Sequence, residues 1–142
     1  TDNVEFRFQV NKAGASGFNE TITSSAFQAT HAEADGSTAL AYRTDYDQAQ
    51  GTSFQPISNT VGNGNDESIS GSLHLFNPSS TTFVKHFMAV TQFYEAANAQ
   101  ASSSVHTSGY FNTTSAIDEI QFKMASGNID SGTFKLYGIK DS

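Results

Sequence analysis

The sequence predicts an all-β fold, an antiparallel, jelly-roll-like β-sandwich of about eight strands, on three observations. The apolar content is carried by 12 Phe against four Leu, and Ser, Thr, Asn and Gly fill most of the rest, so residues suited to a pleated surface dominate and helix formers are scarce. Apolar and polar residues alternate with period two in several stretches. Turn chemistry such as Asp-Gly and Asn-Pro recurs between those stretches. The 142 residues suit one domain, residues 1–142, able to bury roughly two-thirds of the surface its unfolded chain exposes. That core must hold the fold unaided. The absence of cysteine excludes disulfides, thiolate metal sites and a cysteine nucleophile.

Taken in order, residues 3–10 alternate without fault: Val4, Phe6, Phe8 and Val10 face one way, and Glu5, Arg7 and Gln9 the other. Residues 11–17 read as a turn, with Gly14 and Gly17 free to adopt positive φ. Weaker strands follow at 26–31 and 39–46, divided by Asp35-Gly36. Residues 45–53 are polar and read as a loop, while 54–61 hold a short strand that Pro56 assigns to an edge or bulge. Gly62-Asn63-Gly64-Asn65-Asp66 is the most flexible segment. Clean alternation returns at 69–76, Asn77-Pro78-Ser79-Ser80 turns the chain, and 82–94 is the longest β-compatible run, giving a central hairpin. Residues 95–104, rich in Ala, Ser and Asn, suit a loop or a single helical turn. Strands are expected again at 105–111, 117–124 and 133–139. In the middle one Ile120, Phe122 and Met124 point inward, and Glu119, Gln121 and Lys123 outward. No fixed-period repeat is present, which argues against a propeller or solenoid.

Charge narrows the partners. A net charge of −7 and the lack of any Lys/Arg cluster disfavour nucleic acid and anionic lipid. No apolar run approaches the ~20 residues that span a bilayer, so no membrane association is expected. No signal peptide is visible. The chain opens at Thr1 rather than Met, which leads us to expect a processed product or the C-terminal piece of a longer chain.

Candidate chemistry is sparse. Of the four histidines, His31, His74, His86 and His106, His74 and His86 fall on adjacent strands of the expected hairpin, but a zinc site needs a further ligand that spacing does not supply, and solvent-facing strand positions account for all four. Asn63, Asn65, Asp66 and Glu67 carry the oxygen donors that Ca²⁺ takes, without the twelve-residue spacing of a helix-flanked calcium loop. Asp and Asn are also the ordinary turn residues, so no cofactor is expected. Asp118 and Glu119 are neighbours on a strand and point to opposite faces, so they cannot flank one glycosidic bond together. No nucleophile elbow, phosphate-binding loop or His-Glu-x-x-His pattern occurs, and the expectation is that the protein is not an enzyme. Asn19-Glu20-Thr21 and Asn112-Thr113-Thr114 match the N-glycosylation pattern, which arises readily by chance in a Ser/Thr-rich chain. The remaining candidates form a recognition surface of rings and hydrogen-bonding side chains: Tyr42, Tyr46, Phe93, Tyr94 and Tyr110, with Asp45 and Asp47 flanking Tyr46. The absence of Trp weakens a dedicated carbohydrate-binding module.

The run Asn112-Thr113-Thr114-Ser115-Ala116-Ile117, followed by Ile120-Gln121-Phe122, Ser126-Gly127-Asn128-Ile129 and Ser131-Gly132-Thr133-Phe134-Lys135-Leu136-Tyr137-Gly138-Ile139, resembles the ending of marine tailed-phage structural proteins found in cyanophages and pelagiphages. Residues 3–11, Phe18-Asn19-Glu20-Thr21 and residues 73–86 are similar to that group as well. The resemblance implies a β-sandwich exposed on the virion surface, as a tail-fibre or receptor-binding tip or as a capsid decoration protein. It implies other virion proteins as partners, a homo-oligomer with a trimer favoured, and a host surface glycan or protein as the target. Proteins of the group usually carry one or two further strands upstream of the position matching Thr1; if such strands are absent, the sheet edge beside residues 3–10 would lie open or another chain would cover it. The resemblance transfers no catalytic motif. The contrasting expectation, from another class, is a secreted carbohydrate-binding β-sandwich module.

Overall fold

The computed structural model describes residues 2–95 and 100–139. Among these the chain forms nine strands and no helix: β1 (Phe6–Lys12), β2 (Ile22–Ala32), β3 (Thr38–Tyr42), β4 (Gln48–Gly51), β5 (Gln55–Pro56), β6 (Ile69–Leu75), β7 (Lys85–Glu95), β8 (Ala101–Phe111) and β9 (Ile117–Met124). They make two antiparallel sheets. One has the order β5-β1-β9; the other has the order β3-β2-β8-β7-β6, with β4 also against β2. The pairing is nested, β1 with β9 and β2 with β8, and the chain changes sheets between the members of each pair. The sandwich is jelly-roll-like in these two nested pairs, while β6, β7 and β8 follow one another as a meander.

The two sheets meet through an aromatic core. Phe8 from β1 packs edge-on against Phe87 of β7 at 5.2 Å and Phe111 of β8 at 6.0 Å. Val10, Ile22, Ile57 and Ala89 complete this cluster, and Ala26, Tyr46, Val61, Phe93 and Val105 form a second. Each fully buried large apolar side chain stabilises the fold by about 1.5–3 kcal/mol relative to exposure, so Phe carries here what Leu carries in a helical protein.

Several expectations are adjusted. β1 is the middle strand of its sheet, with β5 of the same chain on the side expected to lie open and β9 on the other, and it is buried on both faces because the outward-facing Gln9 and Asn11 are covered. Gln9 Nε2 donates to the Glu20 carbonyl at 3.0 Å, while its Oε1 accepts from the Val10 amide at 2.9 Å. The amide of buried Gln55 likewise donates to the Tyr46 carbonyl at 2.7 Å. Side-chain amides thus satisfy the polar groups that the loops bring into the core. Lys85 is also buried, its ammonium donating to the Phe83 carbonyl at 2.6 Å. The polar stretch at 45–53 contains the short strand β4, and β8 begins at Ala101, inside the expected loop. The helical turn anticipated within 95–104 falls partly on residues 96–99, outside the described residues. Residues 133–139 pair with no strand.

Candidate recognition face

Strand parity assigns a chemistry to the outer face of the larger sheet. In β7 the odd-numbered positions from Lys85 to Glu95 are buried, and the even-numbered ones look away from the core. Directly opposed residues in an antiparallel ladder share a face, so the register extends this outward set across the sheet. One cross-strand row runs Tyr42, Phe27, His106, Val90, Ser72. The next runs Ser25, Ser108, Met88, His74. A third runs Thr23, Tyr110, His86, with Phe76 following β6 and donating its amide to the His86 carbonyl at 2.9 Å. His31 joins this face beside Ser102 and Tyr94. All four histidines of the chain therefore lie on one sheet surface.

The rings on this surface are organised. Phe27 and His106 stack at 4.7 Å with an interplanar angle of 3°, His86 meets Tyr110 at 6.0 Å, and His74 lies over Phe76 at 6.3 Å. Phe27 remains 45% exposed and Tyr42 57% exposed, so water covers rings that a ligand can displace it from. Serine and threonine hydroxyls fill the spaces between them and supply hydrogen bonds in both directions.

The sequence-predicted candidates divide. Tyr42, Tyr94 and Tyr110 lie on this face. Tyr46 and Phe93 do not: both are buried in the second core cluster, Phe93 because its odd position on β7 faces the other sheet, and neither belongs to a recognition surface. For Tyr46 the cause is a tight turn after β3, closed by Tyr46 and Asp47 amides that donate to the Arg43 carbonyl at 3.1 and 3.2 Å. The turn folds Tyr46 under the Arg43 guanidinium, which caps its ring at 4.1 Å, and burial pushes its phenol pKa well up. Asp45 accepts two hydrogen bonds from Arg43, at 2.9 and 2.6 Å, which hold its carboxyl below the usual range. Asp47 accepts from the Tyr42 hydroxyl at 2.7 Å and raises the Tyr42 pKa. Both aspartates thus brace the turn and orient Tyr42, and they line a shallow depression with Arg7 and Phe54.

Tyr94 borders a second shallow depression of about 330 Å³, shared with His31, Glu33, Ser68, Gln92 and Ser102. Its phenol pKa is raised by burial first, then by the charges of Glu33, Asp66 and Glu67. In the glycine-rich loop the Glu67 carboxylate is engaged by the Gly64 amide at 2.7 Å. Among the described residues no three His, Asp or Glu side chains converge on a point where an ion could sit. His74 and His86 do not face each other, since His74 opposes Met88 and His86 opposes Tyr110. Glu119 accepts from Asn11 Nδ2 at 2.8 Å, tying that carboxylate to β1.

Sequence reasoning missed Phe27, Met88 and Val90, and it placed His106 at a solvent-facing strand position without assigning it to this surface. The signal lay in the period-two pattern of 82–94: the apolar Met88 and Val90 occupy the parity opposite Phe87, Ala89 and Phe93. No protein family, curated protein or solved structure matches the chain.

Proposed function

We propose that this protein is a non-enzymatic structural module on the surface of a tailed-phage virion, and that the outer face of the six-stranded sheet grips the host. Two positions on the particle are compatible with this reading, a tail-fibre tip and a capsid decoration site, and a face built for gripping favours the tip. The observation that carries the reading is the row Tyr42, Phe27, His106, Val90, with exposed rings set among hydroxyls on a broad sheet surface. Such a face stacks on the C–H side of a sugar ring or on an apolar patch of a surface protein. A single contact of this kind is weak, and several copies on one particle raise its strength through effective concentration. The C-terminal resemblance described above supplies the context.

Competition for adsorption tests the proposal. Purified protein slows phage adsorption to host cells, and a variant with Phe27→Ser and Tyr42→Ser loses about tenfold in potency, since each stacked ring is worth about 0.5–1.5 kcal/mol. Equal potency of the variant contradicts the assignment of this face. The same rings among hydroxyls would also serve a secreted carbohydrate-binding module. Tight glycan-array binding by the isolated chain, together with its absence from purified particles by mass spectrometry, would establish that second reading.

A further inference from the structure

The described chain contains a sheet edge without a strand and a strand-like segment without a sheet. β9 closes the three-stranded sheet, with only β1 beside it, so one row of its backbone amides and carbonyls lacks a ladder partner. The core is thinly covered on that side. Ile117 and Phe122 of β9, and Leu73 and Leu75 of β6, an edge strand of the other sheet, pack against the main cluster but are only half-buried. The Ile117 amide donates to the Pro78 carbonyl in the β6–β7 connection at 2.8 Å, which places both edges along one margin of the sandwich.

The unpaired segment is residues 133–139, Thr-Phe-Lys-Leu-Tyr-Gly-Ile. Phe134 sits beside this margin, 5.0 Å from Phe122 and 6.2 Å from Phe6. Beyond it the chain leaves β9 behind. Leu136 is 94% exposed, Tyr137 77% and Ile139 90%. Large apolar side chains this close together and this exposed mark a surface that another element covers.

We propose that residues 133–139 of one copy add as a strand to the free edge of β9 in a second copy. The segment nearly matches the eight residues of β9 in length. Its one charge, Lys135, is opposite in sign to the net charge of the receiving strand, where Asp118 and Glu119 outnumber Lys123, and this matters in a chain whose net charge of −7 otherwise opposes self-association. Each copy offers the β9 edge and gives one strand, so the exchange satisfies every copy when it closes on itself. Main-chain ladder bonds then hold the copies together, and alternate side chains fill the margin lined by Leu73, Leu75 and Ile117. This inference does not rest on the virion reading, because it follows from the chain's own unpaired parts.

Light scattering on the eluting full chain, with hydrogen exchange on the same samples, tests it. The expected mass is a whole multiple, two or more, of the 15.2 kDa chain, with slow exchange across 117–124 and 133–139. Leu136→Asp with Ile139→Asp, at positions that support no core contact, should give a monomer with unchanged circular dichroism and rapid exchange in both segments. A monomeric wild type overturns the proposal; if its 133–139 amides are protected, the segment has folded onto its own β9. A variant that keeps the wild-type mass overturns it equally.

Discussion

Tyr42 and Tyr46 have the same parity in the alternation of residues 39–46, yet one ring meets water and the other is in the core. The turn closed on the Arg43 carbonyl separates them, and period-two reasoning fails where a strand ends. Nothing in the local pattern marks that end, because the turn is held by Arg43 and its carboxylate partner rather than by Gly or Pro. The Tyr42–Asp47 bond gives a pH signature. Because the folded-state pKa of Tyr42 is raised above 10.0, its contribution to stability is fully present below pH 10.0 and is lost as pH rises through the raised value. An NMR titration of the tyrosine rings should place Tyr42 above 10.0, and Asp47→Asn should bring it back toward that value. An unchanged Tyr42 midpoint in the variant would separate the shift from the carboxylate.

At the scale of elements, legibility followed the quality of alternation. The pattern of residues 117–124 has the bounds of β9, because clean alternation is flanked by turns on both sides. β8 was read short because its first half is Ala-Ser-Ser-Ser, with no apolar stripe. The buried face there is polar: Ser103 donates to the Glu95 carboxylate at 2.6 Å, and Gln28 and Asn59 donate to it at 3.1 and 3.0 Å. A core position filled by a hydrogen-bonded network leaves no hydrophobic signal. Residues 133–139 have a strand's composition but no ladder, since pairing is a property of two segments rather than one. β8 also holds a steric requirement that sequence conceals. A Cβ at Gly109 would lie 2.4 Å from the Thr23 carbonyl oxygen of β2. Gly109→Ala should therefore lower the unfolding free energy by about 1–3 kcal/mol, as overpacking does, measured by urea denaturation. A change within error would mean that β2 and β8 tolerate a wider separation.

For the molecule as a whole, composition and turn spacing sufficed to predict two stacked antiparallel sheets. The nesting of β1 with β9 and β2 with β8 was not legible, because non-local pairing is decided by which faces and edges fit after collapse. The outer face was half legible. Three of its tyrosines were singled out as rings among hydrogen-bonding residues, while Phe27 and His106 came together only through the β2–β8 register. That face is the centre of the proposed virion role, and its setting on a particle is directly measurable. A density map of the intact virion should show the sandwich on the exterior, with Phe27 and Tyr42 directed outward, away from the particle. A map in which this face is buried against the shell, or in which the sandwich is absent, would contradict the account.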